Sequence, residues 1–540
     1  MAEEQSFASS RRLRQPDSRN GNGSRPGPER NRVSGVSPVR GALVRAALVA
    51  AWLLAVAAHL RYEAFPEWLT GEIGGYASLF GRDTLIIDSW SKILFNGSPI
   101  GYSHTSLESE ETNASERYTL NNRLYLKLSI MGETHALTAD TTASLNSQYQ
   151  LQKFSFGLSS KIYSLSIKGQ RVGGPVFDVE LSTDSGSTSR RVQIPDDAII
   201  YSPMTELALQ RLRPGNQLSV KAFDPATLST SVMVIRALRN EEITVGGRKH
   251  SCTVLATDMQ GATVLSWMAA DGRILRQETP FGWTMELCAP EEAFEIARKA
   301  APSGDLLAGL AVPCEGEIRR PRSCSSLTLR LSGAAFSEND LAFPRQKTVS
   351  AGQDGAVLVV SRGHVPSSAS AHSEDVNPAV KAFLAATPFI QSDHQEMRDM
   401  ASEITRNCSN DIDRVLAILD WVNSNVAKEM AVSFPSALDV LRKRRGDCNE
   451  HTYLFTALAR AAGIPAKVIV GLAYQDGMFY YHAWPAVYLG EWWELDPTWN
   501  QQAVDATHIA MVEGEIERQI ELMRIIGRLR IAVLEEKTDD

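Results

Sequence analysis

Six cysteines in 540 residues are too few for a disulfide scaffold, and no group of them has the spacing of a zinc site. The chain also lacks an internal repeat and a phosphate-binding glycine loop, which leaves no ground for a solenoid or a P-loop enzyme. Beyond the first 45 residues no basic patch marks a nucleic-acid surface, so no nucleic-acid partner is expected. Long apolar runs are equally scarce. Only one, between Ala42 and Leu60, approaches the length that crosses a bilayer, so a single-pass chain is expected.

What precedes that run gives its direction. Residues 1–45 are rich in Arg, Ser, Pro, Gly and Asn and have almost nothing to build a core from. Nine arginines against four acidic residues give this stretch +5, which leaves −13 for the remainder of a chain whose net charge is −8. Basic residues ahead of an apolar segment predict a cytoplasmic N-terminus and an exported remainder. Ala55-Val56-Ala57 resembles a signal-peptidase site, but the long upstream region favours a retained anchor in the cell inner membrane, with the later domains periplasmic.

From about Trp90 to Glu286 the pattern is strand, turn, strand, with Leu124–Ile130, Leu158–Ile167, Val176–Leu181, Val232–Leu238 and Ala262–Trp267 as examples. Long strands with few helices argue for a curved antiparallel sheet or half-barrel, by weak analogy like bacterial lipoprotein carriers. No catalytic constellation lies there, so binding or spacing is its expected role. A helix near Glu291–Ala301 leads to a second β segment, about Ser325–Gly363, and residues 364–376 read as a linker. Ile412–Val422 keeps a helical period with Ser409 or Asn410 as cap, Glu513–Arg528 reads as an amphipathic helix, and Leu529–Glu535 as a final strand. Cys314 and Cys324 are the first candidate disulfide pair, Cys252 and Cys288 the second, and Cys408 is left over.

Chemistry concentrates in one place. Arg445-Gly446-Asp447-Cys448-Asn449-Glu450-His451 opens a segment with Leu454, Leu458 and Ala461 on one helical stripe, ended by Gly463 and Pro465. Asp447 can cap that helix and leave Cys448 in the first turn. The positive helix end favours the thiolate there, and the Asp447 charge works against it. Strands at Val468–Ala473 and Met478–Leu489, joined at Gln475-Asp476-Gly477, place His482 on the second, with Asp496 beyond Trp492–Leu495. A two-residue loop at Leu489-Gly490 would put His482 and Asp496 on opposite faces. A three-residue loop including Glu491 pairs Tyr488 with Trp492 and puts both on one face. Thiol, imidazole and carboxylate are together the parts of a nucleophilic site. His451, one turn after Cys448, is read as structural or supporting. Of Trp484, Trp492, Trp493 and Trp499, most are expected to pack between sheet and helix and one to wall the groove.

Gly446-Asp447-Cys448-Asn449-Glu450-His451, Ala459 to Pro465, His482-Ala483-Trp484 and Leu495-Asp496-Pro497-Thr498 together resemble the core of the transglutaminase-like superfamily, especially its bacterial, membrane-anchored members. The resemblance implies a papain-like fold in which the cysteine heads a helix packed on an antiparallel sheet. It implies Cys448 as nucleophile, His482 as base and later acid, and Asp496 as the group that orients the imidazole. Thiol acyl transfer on peptide or protein amides in the cell envelope follows, of protease, amidase or transglutaminase type. The alternative is an inactive binding or scaffolding protein of the envelope. No acidic loop like the calcium sites of animal transglutaminases is seen, so neither a cofactor nor a metal is expected. The expected organisation is α+β: a basic tail over 1–41, an anchor over 42–60, a β-rich extracytoplasmic domain over 61–290, a second β segment and linker over 291–375, the transglutaminase-like domain over 376–505, and a helix and strand over 506–540.

Overall fold

The computed structural model describes residues 71–72, 87–109, 117–130, 132–161, 163–200, 212–259, 262–279, 282–299, 311–367, 377–429, 434–523 and 528–538. The expected tail and anchor lie outside them. Among the described residues no helix is long and apolar enough to cross a membrane. The fold is α+β and rich in strand.

Among the described residues the first half of the chain forms a 16-stranded sheet. Fourteen of its strands make two antiparallel meanders, one from Ile87 to Gln193 and one from Gln217 to Leu287. The short strands Gly71–Glu72 and Ile199–Ile200 pair parallel to Gln217–Asp224. Trp283–Leu287 pairs with Ile87–Phe95 and fuses the two meanders into one sheet. Period-two patterning drives this: in Val176–Thr183, Phe177, Val179 and Leu181 are buried while Asp178 and Glu180 face solvent. The run Leu158–Ile167 is not one strand. It is split by a turn between Leu151–Ser160 and Ser164–Gly173, with Tyr163 buried at the corner. The pattern conceals such a break because a buried turn residue such as Tyr163 looks like a strand residue.

A second sheet, of nine strands, holds the candidate site. Its order begins Gln346–Gly352, Gly355–Ser361, Cys324–Ser332, Arg530–Thr538 and Val312–Glu315. It continues through Met478–Tyr488, Ala466–Gln475 and Ile509–Glu513. The second β segment, the His482 strand and the chain's last strand therefore share one sheet. The C-terminal helix begins at Ile516, later than its periodicity suggests, because Ile509–Glu513 is claimed as a strand by Ala466–Gln475.

Strand register also settles the thiols, all six of which are free. Cys314 stands opposite Ile531 and Cys324 opposite Thr538 on the two sides of one strand. Seven residues of strand separate those partners, about 23 Å at 3.3 Å per residue, far beyond the Cα spacing of a disulfide. Cys252 and Cys288 are kept apart by the strands Ala262–Ala269 and Ile274–Glu278, three strand spacings or about 14 Å. Neither candidate pair forms. Nearness in sequence was a poor guide because the sheet threads other strands between them.

The first sheet docks on the helix that precedes the cysteine. Ala437–Lys443 is capped by Ser436 and accepts a 2.9 Å hydrogen bond from Thr183 at Asp439. Arg442 donates to the Ser185 carbonyl at 2.6 Å, and Tyr163 to that of Phe434 at 2.9 Å.

Candidate active site

Cys448 is the first residue of the helix Cys448–Ala461. Asp447 caps it in a full capping box: its carboxylate accepts the Asn449 and Glu450 amides, while Glu450 reaches back to the Asp447 amide at 2.9 Å. Helix geometry gives the Cys448 amide no intrahelical acceptor either, so it is left as a donor beside its own thiol. Gly446 makes the entry possible. It has φ +152°, and a Cβ there would meet the Glu450 side chain at 2.2 Å. His451 is fully buried and bonds the Asp447 carbonyl through Nδ1 at 2.7 Å, a structural role.

The His482 strand lies beside this helix. Asp476 and Gly477, with φ of 50° and 88°, make the tight turn from Ala466–Gln475 into Met478–Tyr488. At the strand's far end Tyr488 pairs with Trp492 around Leu489-Gly490-Glu491, the three-residue loop that the one-face arrangement required. Ala483 points its main chain at the helix: Thr452 donates to its carbonyl at 3.0 Å, and its N–H meets the Cys448 sulfur. Gly471, across from His482, has the carbonyl of Ile509 where a Cβ would stand, 1.9 Å away, so only glycine admits the strand that follows Asp505.

His482 and Asp496 meet. Nε2 of His482 is 2.9 Å from Oδ2 of the fully buried Asp496. That tautomer leaves Nδ1 with a lone pair, as a base requires. The other Asp496 oxygen accepts the amides of Thr498 at 2.7 Å and Trp499 at 3.3 Å. Asn423, on the helix Asp411–Asn425 that Asn410 caps, fixes the following turn through the Pro497 carbonyl at 2.8 Å. Trp499 stacks on the His482 ring at 4.3 Å and 11°, and Arg322 covers the other indole face at 3.7 Å. Trp499 is thus the tryptophan that walls the site.

Three residues of this cluster escaped the sequence reading: His508, Asp505 and Arg322. His508 Nε2 is 3.3 Å from Asp496 Oδ2, and its Nδ1 is 3.2 Å from Asp505 Oδ1. Asp505 Oδ2 accepts from Arg322 at 3.0 Å. The one available signal was a histidine and an aspartate three residues apart ahead of the apolar run Ile509–Val512. His482, Asp496 and His508 have donor atoms within 4.8 Å of one another, the spacing of a metal site. Asp496 already receives four hydrogen bonds, two at each oxygen, so the trio is satisfied as a hydrogen-bonded relay.

Electrostatics corrects one expectation. Burial pushes the Cys448 thiol well above its ordinary range, and the charges of Asp447, Glu450 and Asp496 add to this; the Ala483 N–H opposes them. The helix end does not prevail. Burial likewise lowers the His482 imidazole despite the pull of Asp496. Burial alone would raise Asp496, yet His482 and His508 hold it well below the usual carboxylate range. His508 goes the other way: its bonds to Asp496 and Asp505 overcome burial and raise it.

Residues 398–497 match the model of the transglutaminase-like superfamily. The mouse (Mus musculus) kyphoscoliosis peptidase is 29% identical over 126 residues, covering 21% of this chain and 19% of its own. The chain thus spans about a fifth of the length of the curated relatives it matches. Among solved structures, the periplasmic domain of TgpA from Pseudomonas aeruginosa is similar over 35% of this chain and 89% of its own, at 17% identity and a TM-score of 0.26. A β-barrel-like protein from Brucella abortus is similar over 37% of this chain and 94% of its own, at 10% identity and a TM-score of 0.29.

Proposed function

We propose, from the match of residues 398–497 to the transglutaminase-like superfamily, a cysteine acyl-transfer enzyme acting on peptide or protein amides. The observation that carries the proposal is the 2.9 Å bond between His482 and Asp496, beside the helix that Cys448 opens. As substrate enters, the thiol proton passes to Nδ1 of His482 while the sulfur attacks the amide carbonyl carbon. The backbone N–H of Cys448 donates to the oxyanion that forms. Collapse breaks the carbon–nitrogen bond, and the leaving amine takes the proton back from His482. The thioester left on Cys448 is then opened by water, which gives hydrolysis or deamidation, or by a second amine, which gives a cross-link.

A base whose pKa burial holds down readily returns the proton it has accepted, which suits the second half of this sequence of steps. The experiment is mass spectrometry of envelope proteins from cells with and without the protein. Chains that are cut, deamidated or cross-linked only in its presence support the proposal, and indistinguishable envelopes would sink it.

The same proposal places the enzyme in the cell inner membrane, held by residues 42–60, with its substrates in the periplasm. Support comes from the charge asymmetry of the sequence. Protease added to intact spheroplasts should digest everything after about Tyr62. Survival of the Cys448 region would overturn the location.

A further inference from the structure

We propose that His508, clamped between Asp496 and Asp505, is a positioning residue for the cysteine reaction: its imidazolium fixes Asp496 and offsets that carboxylate's charge, so that His482 remains a proton shuttle. The inference rests on the acyl-transfer role proposed above. His508, Asp505 and Arg322 all lie outside the segment 398–497 that matches the family model.

Geometry carries the argument. Each ring nitrogen of His508 faces a carboxylate oxygen, at 3.3 Å and 3.2 Å. Ionised carboxylates only accept, so both contacts are hydrogen bonds only when both nitrogens carry protons. The two carboxylates have other reasons to stay ionised. Asp496 accepts the amides of Thr498 and Trp499, and Asp505 accepts Arg322 together with the Thr507 amide. Asp496, Asp505 and His508 are all fully buried, so bulk solvent does not screen their charges.

Charge counting agrees. The groups facing His508 are Asp496, Asp505, Glu494, Arg345, Arg322 and the His482 ring. Glu494 pairs with Arg345 at 2.8 Å, and Arg345 also donates to the His508 carbonyl at 3.2 Å. Three carboxylates stand against two guanidiniums, and a cationic His508 closes the balance. Without it, Asp496 would act on His482 as an uncompensated anion. The imidazolium would then be held too firmly to return its proton to a leaving amine. Trp484, edge-on to His508 at 5.1 Å, and Trp499, edge-on at 5.3 Å, wall the ring in its place.

The test is the pH profile of Cys448 alkylation by iodoacetamide, followed by mass spectrometry on the full chain. In the parent the rate should climb from acid as His482 loses its proton. His508→Gln removes the compensating charge and makes His482 more basic. That limb should move to higher pH by on the order of one unit, the size expected for one charge at this range. Asp505→Asn takes away the second carboxylate, discharges His508 and should move the limb the same way. It decides the matter even where the glutamine variant does not fold. Folded variants with the parental limb and a changed amplitude alone would overturn the inference, since they would reveal only a packing role. A parent whose Cys448 titrates like any exposed thiol, indifferent to His482→Ala, would overturn the enzyme proposal as well. That result is distinguishable because it appears without touching His508.

Discussion

Cys448→Ala is expected to abolish covalent change in the protein's amide substrates while moving its stability by less than about 1 kcal/mol. Although protein encloses its sulfur, Cys448 as a residue is only partly buried and lies at the rim of the core, so losing one sulfur atom leaves no large cavity. Its capping residue, capping box and helix do not depend on sulfur. Chemistry does, entirely. Without the nucleophile no thioester forms, and a loss on the order of 10³- to 10⁶-fold is expected for a residue that works as a unit with its base. His482→Ala should fall nearly as far, since the acceptor of the thiol proton and the donor to the leaving amine vanish together. Comparing envelope peptides from cells carrying parent and variant by mass spectrometry checks both. Identical patterns of cutting, deamidation and cross-linking would assign the chemistry to another protein.

The second large effect is on stability. Asp496→Ala strands a buried cationic His508 with one carboxylate where it had two, and leaves the amides of Thr498 and Trp499 without acceptors. Removing one partner from a buried ionic set costs roughly 3–5 kcal/mol. Asp496→Asn should cost less stability but still lower activity by on the order of 10²- to 10⁴-fold, having lost the charge and tautomer control over His482. The pH dependence has a definite sign. Asp496 is depressed on folding, so its contribution is complete above the unfolded carboxylate value, about 4, and is lost as pH falls toward the folded value. His508 is raised, so its contribution is complete below the unfolded imidazole value, about 6.5, and is lost as pH rises through the folded value. Urea unfolding of parent and Asp496→Ala should therefore differ most between about pH 4 and 6.5. A gap that is flat from pH 3 to 9 would show that these charges are not the source.

Much of the site could be read from the chain because its parts are local. Asp447 as cap, Gly463 with φ +83° ending the helix, and the three-residue loop that aligns His482 with Asp496 are each set within a few residues. Asn410 as the cap of the helix Asp411–Asn425 is of the same kind. What escaped was non-local. Arg322 reaches the site across 183 residues to Asp505, and only the register of the second sheet brings it there. His508 sits in a segment whose strand character depends on a glycine, Gly471, in another strand. The thiol's upward shift was missed in a different way. Helix polarity is visible in sequence, whereas burial and the convergence of three carboxylates are not. Disulfide guesses failed for the same cause, since spacing along the chain says nothing about strands inserted between two cysteines.

The last strand, Arg530–Thr538, lies between Cys324–Ser332 and Val312–Glu315, and the latter pairs directly with the start of the His482 strand at Met478 and Phe479. Arg530–Thr538 is thus the seam between the Arg322 side of the sheet and the histidine side. Arg322 keeps its place over Trp499 only while both edges of that seam stay paired, so a strand remote from the thiol holds two halves of the site in one register.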